Sequence, residues 1–247
     1  MNYGAFLAKG DYLCFLDDDD YWVDEDHLSR SASSIQGTHM KADLYFTNQK
    51  AYLSDGTQKN EEIWIEDLEV ILKDQPKDDY GSYSVNIITM LKSNGFAHLN
   101  CSIFSKSLYE KIKGMDEHIR YECDRDIYIR ALDSAGIILY NPAFVSKHHI
   151  PDSNKSNNMS TAISVFEKKI FQLRVYDKGI LFSKNPELIN LCKIGKGYEL
   201  KYISEALASN KRYGLARYYA IEAFGVLPGF KWGIYTVLLF LKSMIYR

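Results

Sequence analysis

The residues with the clearest chemical potential are four consecutive aspartates at positions 17–20. They directly follow the apolar run 12–16, which is typical of a buried strand and therefore places the carboxylates at a strand end. Four carboxylates in one turn repel one another unless a cation or backbone N–H groups compensate their charge, and hard oxygen ligands select Mg²⁺, Mn²⁺ or Ca²⁺. The run predicts a divalent-metal site. The alternative is a solvated acidic turn that caps a helix.

A second acidic group occupies the predicted start of a helix. Asp124 and Asp126 fall in its first turn, where carboxylates are favourable, and apolar residues recur at helical spacing through residue 135. The local pattern by itself gives both acids a structural role: Asp124 can cap the helix, and Asp126 can form an ion pair with Arg130 one turn later.

The third candidate is a histidine pair, His148 and His149, close before Pro151. Imidazole can complete a Mn²⁺ site, but a histidine pair before a proline is equally consistent with an ordinary turn. The polar segment 152–160 that follows is expected to form a loop.

The segments that must position these groups alternate between strand and helix patterns. Four segments have strand-like apolar runs: 12–16, 42–47, 101–104 and 137–140. A hairpin is predicted between 52–53 and 63–65 through the Asp55-Gly56 turn, and the segment 66–95 is expected to mix helix and loop. Three segments have helical spacing with a capping or stop residue: 25–35 after Asp24, 106–113 between Ser105 and Gly114, and 124–135 before Gly136. Everything after about residue 160 has a helical pattern, so we expect an α/β domain over 1–159 and a helical extension over 160–247.

The overall composition limits the functional classes. The chain has 247 residues, of which 46% are hydrophobic and 25% charged, so it can bury one sizeable core. The formal net charge is −2, so no nucleic-acid partner is expected. Four scattered cysteines indicate packing thiols in a reducing compartment, and no signal-peptide pattern is present, so a cytoplasmic location is expected.

The C-terminal segment differs in charge from the rest of the chain. Positions 210–247 hold six basic side chains and one acid, and the apolar run 232–246 is interrupted by Lys242. This run is shorter than the roughly 20 residues that a membrane-spanning helix needs. The pattern predicts peripheral contact with the inner face of a membrane through the C-terminal tail.

Two blocks of the sequence resemble a known family. Residues 2–22, NYGAFLAKGDYLCFLDDDDYW, closely resemble the segment of family 2 glycosyltransferases, which have the GT-A fold, that leads into their DxD motif. Residues 114–130, GMDEHIRYECDRDIYIR, resemble the stretch of that family that precedes and carries the catalytic base, with Cys123 where the family often has an acid. The resemblance implies a GT-A-like mixed sheet flanked by helices.

The resemblance also implies a metal site. In that family the aspartates hold a metal ion that bridges the diphosphate of a nucleotide-sugar donor. Carried over to this sequence, Asp17 and Asp19 are the expected ligands of Mn²⁺ or Mg²⁺, and Asp17 and Asp18 are the expected contacts to the donor. His149, or its neighbour His148, is expected to complete the metal site.

The implied reaction is inverting transfer of a sugar to a glycan or lipid-linked acceptor, as in cell-surface polysaccharide synthesis. Asp124 is the expected base, with Asp126 and the more distant Glu122 as rivals. Residues 94–104 occupy the place where the family lines its acceptor side.

The resemblance covers roughly residues 1–160 and begins in the middle of the family's catalytic domain. The family's segment that holds the nucleotide base and ribose precedes this point, so we expect an N-terminally truncated GT-A domain whose first strand has an open edge. Transfer by this chain alone is expected to be weak or absent. One alternative is a fragment that binds metal or a partner protein but not the donor. A remote alternative is a phosphatase of the haloacid-dehalogenase type, which would require Thr or Val where this chain has Tyr21.

Overall fold

The computed structural model describes residues 1–38, 41–150 and 159–245, which form a mixed sheet flanked by helices and a C-terminal helical region. The strands are β1 Tyr12–Cys14, β2 Tyr21–Trp22, β3 Leu44–Tyr52, β4 Tyr83–Val85, β5 Ser102–Ser105 and β6 Ile138–His149. The helices of the described chain before residue 150 are α1 Asn2–Leu7, α2 His27–Gly37, α3 Leu68–Ile71, α4 Ile87–Met90, α5 Lys106–Lys111 and α6 Cys123–Ser134. The later helices are α7 Met159–Ala162, α8 Val165–Phe182, α9 Pro186–Ser209, α10 Tyr213–Val226 and α11 Phe230–Ile245.

The six strands form one mixed sheet in the order β1-β5-β3-β6-β2, and β4 also pairs with β6. β3 and β6 are parallel, whereas β5 is antiparallel to both β1 and β3. Consequently β1, β3 and β6 run in the same direction, and their carboxyl ends lie at the same edge of the sheet as the start of β5. This topology brings together segments that are far apart in sequence.

Several local predictions are confirmed. β1 lies at the predicted position and occupies an edge of the sheet, because β5 is its sole partner among the described strands. Ser105 caps α5, since its hydroxyl oxygen accepts the Leu108 N–H at 3.2 Å. α6 carries Asp124 and Asp126 in its first turn. These features depend on short-range signals.

The predicted start of one helix and one predicted strand were wrong. α2 begins at His27 rather than at residue 25, because Asp24 accepts the Asp26 N–H and pairs with Arg30 instead of capping the helix. The segment 63–65 is not a strand. The predicted turn does form, closed by a bridge between Tyr52 and Gln58, but the chain then leaves the ladder.

The strand predicted at 137–140 continues to His149. β3 also extends beyond its predicted end, to Tyr52, and pairs with β6 as far as His149. The backbone hydrogen bonds to β3 therefore keep this part of β6 extended. The two histidines therefore lie in a strand rather than in a turn.

The described chain divides into two compact units. The first contains the sheet and comprises Met1–His118 and Cys123–Ala162 where described; the second comprises Ile119–Glu122 and the described residues from Ile163 onward. The core of the second unit consists of Leu200, Ile203, Leu207, Ala216, Ala220, Ala223, Trp232 and Leu239. No helix in the described residues is long and apolar enough to span a membrane. Residues 151–158, most of the predicted loop, lie outside the described residues.

Candidate active site

The four aspartates form a turn after β1. The Asp20 N–H bonds to the Asp17 carbonyl at 3.2 Å, so the turn closes on itself. Asp17 is half-buried and Asp20 is buried, whereas Asp18 and Asp19 are exposed. The run therefore contains two acids packed into the protein and two acids open to solvent.

Asn100 is the buried residue that anchors this turn. Its side-chain oxygen accepts the Asp17 N–H at 2.9 Å, and its amide nitrogen donates to Asp20 Oδ2 at 2.6 Å. Its backbone oxygen accepts the Trp22 Nε1–H at 2.9 Å. The 3₁₀ turn Leu99–Cys101 places Asn100 just before β5, and the pairing of β5 with β1 brings it next to the aspartates.

The Asp20 carboxylate connects the turn to β6. His148 Nδ1 lies 2.6 Å from Asp20 Oδ2, and the His149 backbone N–H donates to Asp20 Oδ1 at 2.8 Å. Burial by itself would raise the pKa of Asp20, but the hydrogen bonds from His148, His149 and Asn100 outweigh it and lower that pKa. For His148 the balance is the reverse: burial opposes the charge, yet the hydrogen bond and the negative charge of Asp20 raise the pKa.

This contact prepares His148 as a ligand. Its Nδ1–H is donated to a carboxylate, which fixes the ring orientation, so Nε2 can bind a metal ion once it has released its proton. Carboxylate–histidine pairs of this kind orient metal ligands in many metalloproteins. The ring also packs edge-on against Trp64, with centroids 5.4 Å apart.

His98 is the second histidine at the site. Its Nδ1 accepts the Asn100 N–H at 3.3 Å, so the neutral ring carries its proton on Nε2. Nε2 lies 3.4 Å from Asp124 Oδ2 and 3.9 Å from Asp17 Oδ2. Burial, followed by the nearby charge of His148, lowers the pKa of His98 to about 4. A neutral His98 therefore directs an N–H group toward two carboxylates.

Asp126 has a different environment from Asp124. It is only 2% exposed and accepts two hydrogen bonds from Arg130, at 2.8 Å from Nε and 2.5 Å from Nη2. Arg130 also donates from Nη1 to the carbonyls of Ile112 and Gly114, both at 2.7 Å. This ion pair, with Asp126 buried and Arg130 partly exposed, connects α6 to the segment after α5.

Three side chains could together hold a metal ion. Asp17, His98 and His148 each offer one ligand atom, and these atoms lie within 4.8 Å of one another. Carboxylate oxygen with imidazole nitrogen suits Mn²⁺ well and Mg²⁺ through the carboxylate. Asp17 offers its carboxylate directly, whereas each histidine can be a ligand only when its Nε2 has released its proton. Burial and the charges of Asp124 and Asp20 raise the pKa of Asp17, although the neighbouring His98 lowers it, so a cation would stabilise the ionised form.

The other predicted site residues lie around this cluster. Asp18 and Asp19 are exposed in the turn. The Asp19 carbonyl lies 2.8 Å from His149 Nδ1, and the His149 ring packs against Tyr21 with centroids 5.7 Å apart. Among the described residues, the histidine of β6 that belongs to the cluster is His148 rather than His149.

Sequence reasoning did not select His98 and Asn100 individually. Both fall in the segment 94–104, which the family resemblance assigned to the acceptor side. The sequence feature that could have indicated them is a pair of polar residues immediately before an apolar strand. Their function at the site depends on the pairing of β5 with β1, which local pattern does not reveal.

No protein-family model matches the sequence, and no curated protein matches it. Solved structures do share the fold. The crystal structure of S. aureus TarS 1-349 in complex with UDP-GlcNAc aligns with a TM-score of 0.54 at 15% identity and covers 81% of this chain and 50% of that chain.

Two further structures of the same S. aureus protein agree with this result. TarS 1-349 in complex with UDP gives a TM-score of 0.52 at 14% identity, covering 81% of this chain and 49% of that chain. The crystal structure of S. aureus TarS gives a TM-score of 0.55 at 13% identity, covering 99% of this chain and 40% of that chain. The chain thus spans about half the length of TarS 1-349 or less. The likeness shows that this chain shares the fold of the matched part of TarS.

Proposed function

We propose that the chain is a family 2 glycosyltransferase of the GT-A type that moves a sugar from a nucleotide-sugar donor to a hydroxyl group of a glycan or lipid-linked acceptor. The observation that carries the proposal is the convergence of Asp17, His148 and Asp124 at one sheet edge of a glycosyltransferase-like fold. Such a transfer needs a base that takes the proton of the acceptor and a cation that stabilises the leaving group. Asp124, beside His98, can be the base, and Asp17 with His148 can bind the cation.

Asp124 is the proposed general base. The acceptor hydroxyl gives its proton to the Asp124 carboxylate while its oxygen attacks the anomeric carbon of the donor. The bond from that carbon to the diphosphate oxygen breaks, and its electron pair leaves with the nucleoside diphosphate. Attack from the side opposite the leaving group inverts the configuration. His98 Nε2–H, 3.4 Å from Asp124, orients the carboxylate, while Asp126 is committed to Arg130.

Asp17 and His148 are the proposed ligands of Mn²⁺ or Mg²⁺, and such an ion would stabilise the charge on the departing diphosphate. Two protein ligands leave coordination positions for phosphate oxygens, as is usual for these ions. The exposed Asp18 and Asp19 are available to the donor sugar or ribose. Asp20 is not a proposed ligand; it positions the His148 ring through their hydrogen bond.

A second candidate is a protein that binds the metal but does not hold the donor by itself. The specific observation in its favour is coverage, since alignment with TarS 1-349 leaves half of that chain unmatched. For this reason we expect weak sugar transfer by the 247-residue chain, and the proposed function is best tested through binding.

The test measures Mn²⁺ and UDP binding to the full chain, by the electron paramagnetic resonance of free Mn²⁺ and by calorimetry. Mn²⁺ binding should weaken at least tenfold in Asp17→Asn and in His148→Ala, because each change removes a proposed ligand. His149→Ala is the matched control and should weaken it much less. Asp79→Asn, an exposed carboxylate in another loop, should have no effect.

UDP binding separates the two candidates. The transferase proposal requires UDP binding that depends on Mn²⁺ and is lost in Asp17→Asn. Asp124→Asn should keep this binding but abolish any transfer from a UDP-sugar. Mn²⁺ binding without UDP binding would favour the second candidate. UDP binding with the same affinity in the presence and absence of Mn²⁺ would overturn the proposed role of the metal.

A further inference from the structure

The α11 helix presents an apolar face to solvent. Seven residues at helical spacing lie on this side and are all exposed, from 49% for Ile234 to 85% for Phe230; together they form the α11 face: Phe230, Ile234, Val237, Leu238, Leu241, Met244 and Ile245. The opposite side of the helix is buried in the second unit through Trp232, Leu239 and Ser243. The orientation of α11 is therefore set by packing, and the exposed face is not an unfolded segment.

A groove makes this surface continuous with α10. It has a volume of about 680 Å³ and is lined by Phe224, Pro228, Gly229, Phe230, Gly233, Ile234, Val237 and Leu238. None of these side chains is polar. Monomeric proteins seldom expose apolar patches of more than a few hundred Å², and larger ones mark contact surfaces.

Basic side chains border the α11 face. Lys231 and Lys242 are exposed and lie along one border, by their positions on the helix. On the other border, the Arg217 guanidinium lies over the Phe240 ring at 5.2 Å. α11 contains no acid, and residues 163–247 hold fourteen Lys and Arg against six Asp and Glu. The apolar surface thus lies in a strongly positive part of the chain.

The apolar α11 face and its basic border together indicate what kind of partner binds this surface. A second copy of the chain in a symmetric dimer would place the same basic border against itself, which like-charge repulsion opposes. A helix with an apolar face and flanking Lys or Arg instead matches the boundary between anionic headgroups and acyl chains. We infer that α11 lies in the surface of an anionic lipid bilayer, with its face toward the acyl chains and the groove open to them. This inference does not depend on the proposed function.

The test is flotation of the full chain with vesicles of phosphatidylcholine alone or mixed with phosphatidylglycerol. Binding should require phosphatidylglycerol and weaken as salt rises. K231Q/K242Q should weaken binding about 25-fold, since each basic side chain near an anionic surface contributes about fivefold. K92Q/K193Q removes the same net charge from exposed positions outside α11 and should have a much smaller effect.

A second pair of variants tests the contribution of the apolar side chains to vesicle binding. V237S/L241S should weaken binding at least tenfold, because two side chains no longer enter the acyl region. L181S, at an exposed leucine of α8, should bind like the unchanged protein, and unchanged thermal unfolding shows that each variant is folded. Vesicle binding that is equal in all variants overturns the inference. The inference is also overturned if the protein does not bind vesicles but self-associates in sedimentation velocity, and V237S/L241S abolishes that self-association.

Discussion

Replacing Asn100 by alanine tests how the aspartate turn is held in place. The change removes the acceptor of the Asp17 N–H and the donor to Asp20 Oδ2. A neutral hydrogen bond contributes about 1 kcal/mol and one to a charged group about 1.5–3 kcal/mol, and both partners lose their contact in a buried place. We therefore expect the first unit to lose about 3 kcal/mol of unfolding free energy.

The assay combines stability with metal binding. In a unit of this size, about 3 kcal/mol corresponds to a melting temperature lower by roughly 6–12 °C. Tryptophan fluorescence is a suitable probe, because Trp22 Nε1 donates to the Asn100 backbone oxygen. Mn²⁺ affinity should fall about 10–100-fold, as expected when a residue that positions ligands is lost.

Asn94→Ala is the matched control, since Asn94 is exposed and donates to Asp67 at 3.2 Å outside the site. It should cost less than about 1 kcal/mol and leave Mn²⁺ affinity unchanged. If Asn100→Ala also costs less than this, or destabilises the unit while Mn²⁺ affinity stays intact, Asn100 does not position the metal-binding side chains.

Three further predictions concern the packing around the site. Asp126→Asn should lower the unfolding free energy by about 2–3 kcal/mol, measured by urea unfolding, because it leaves the partly buried Arg130 without its carboxylate. His27 is buried, and neither of its ring nitrogens has a hydrogen-bond partner among the described residues. Burial lowers its pKa to about 4, so stability is full above pH 6.5 and falls by up to about 3 kcal/mol as the pH drops toward 4. His27→Leu should remove that part of the pH dependence in thermal unfolding at pH 4–7. Gly95→Ala should destabilise by about 3 kcal/mol in the same assay, since its Cβ would lie 1.8 Å from the Trp64 carbonyl oxygen.

Each of these has an outcome that contradicts it. A neutral effect of Asp126→Asn would mean that the ion pair contributes nothing to the fold. Parallel pH profiles of the unchanged protein and His27→Leu would show that His27 is protonated in the folded state at its ordinary pKa. Unchanged stability of Gly95→Ala would show that the segment before His98 can move away from Trp64 freely.

The sequence by itself determined the local features that carry the candidate chemistry. An apolar run followed by acids is enough to predict β1 and the turn after it, because burial of the run and solvation of the acids are both short-range effects. The same holds for α6, where Asp124 and Asp126 favour the first turn, and for the Ser105 cap of α5. These elements lie within a few residues of their predicted bounds.

Only the tertiary structure decided which side chains meet. Asn100 reaches the aspartate turn across 83 residues of sequence, because β5 pairs with β1, and His148 reaches Asp20 across 128. Neighbouring residues of a strand point to opposite faces, so the register of β6 against β3 decides that His148 rather than His149 joins the cluster. Local pattern contains no information on such a register, since it follows from long-range pairing and burial.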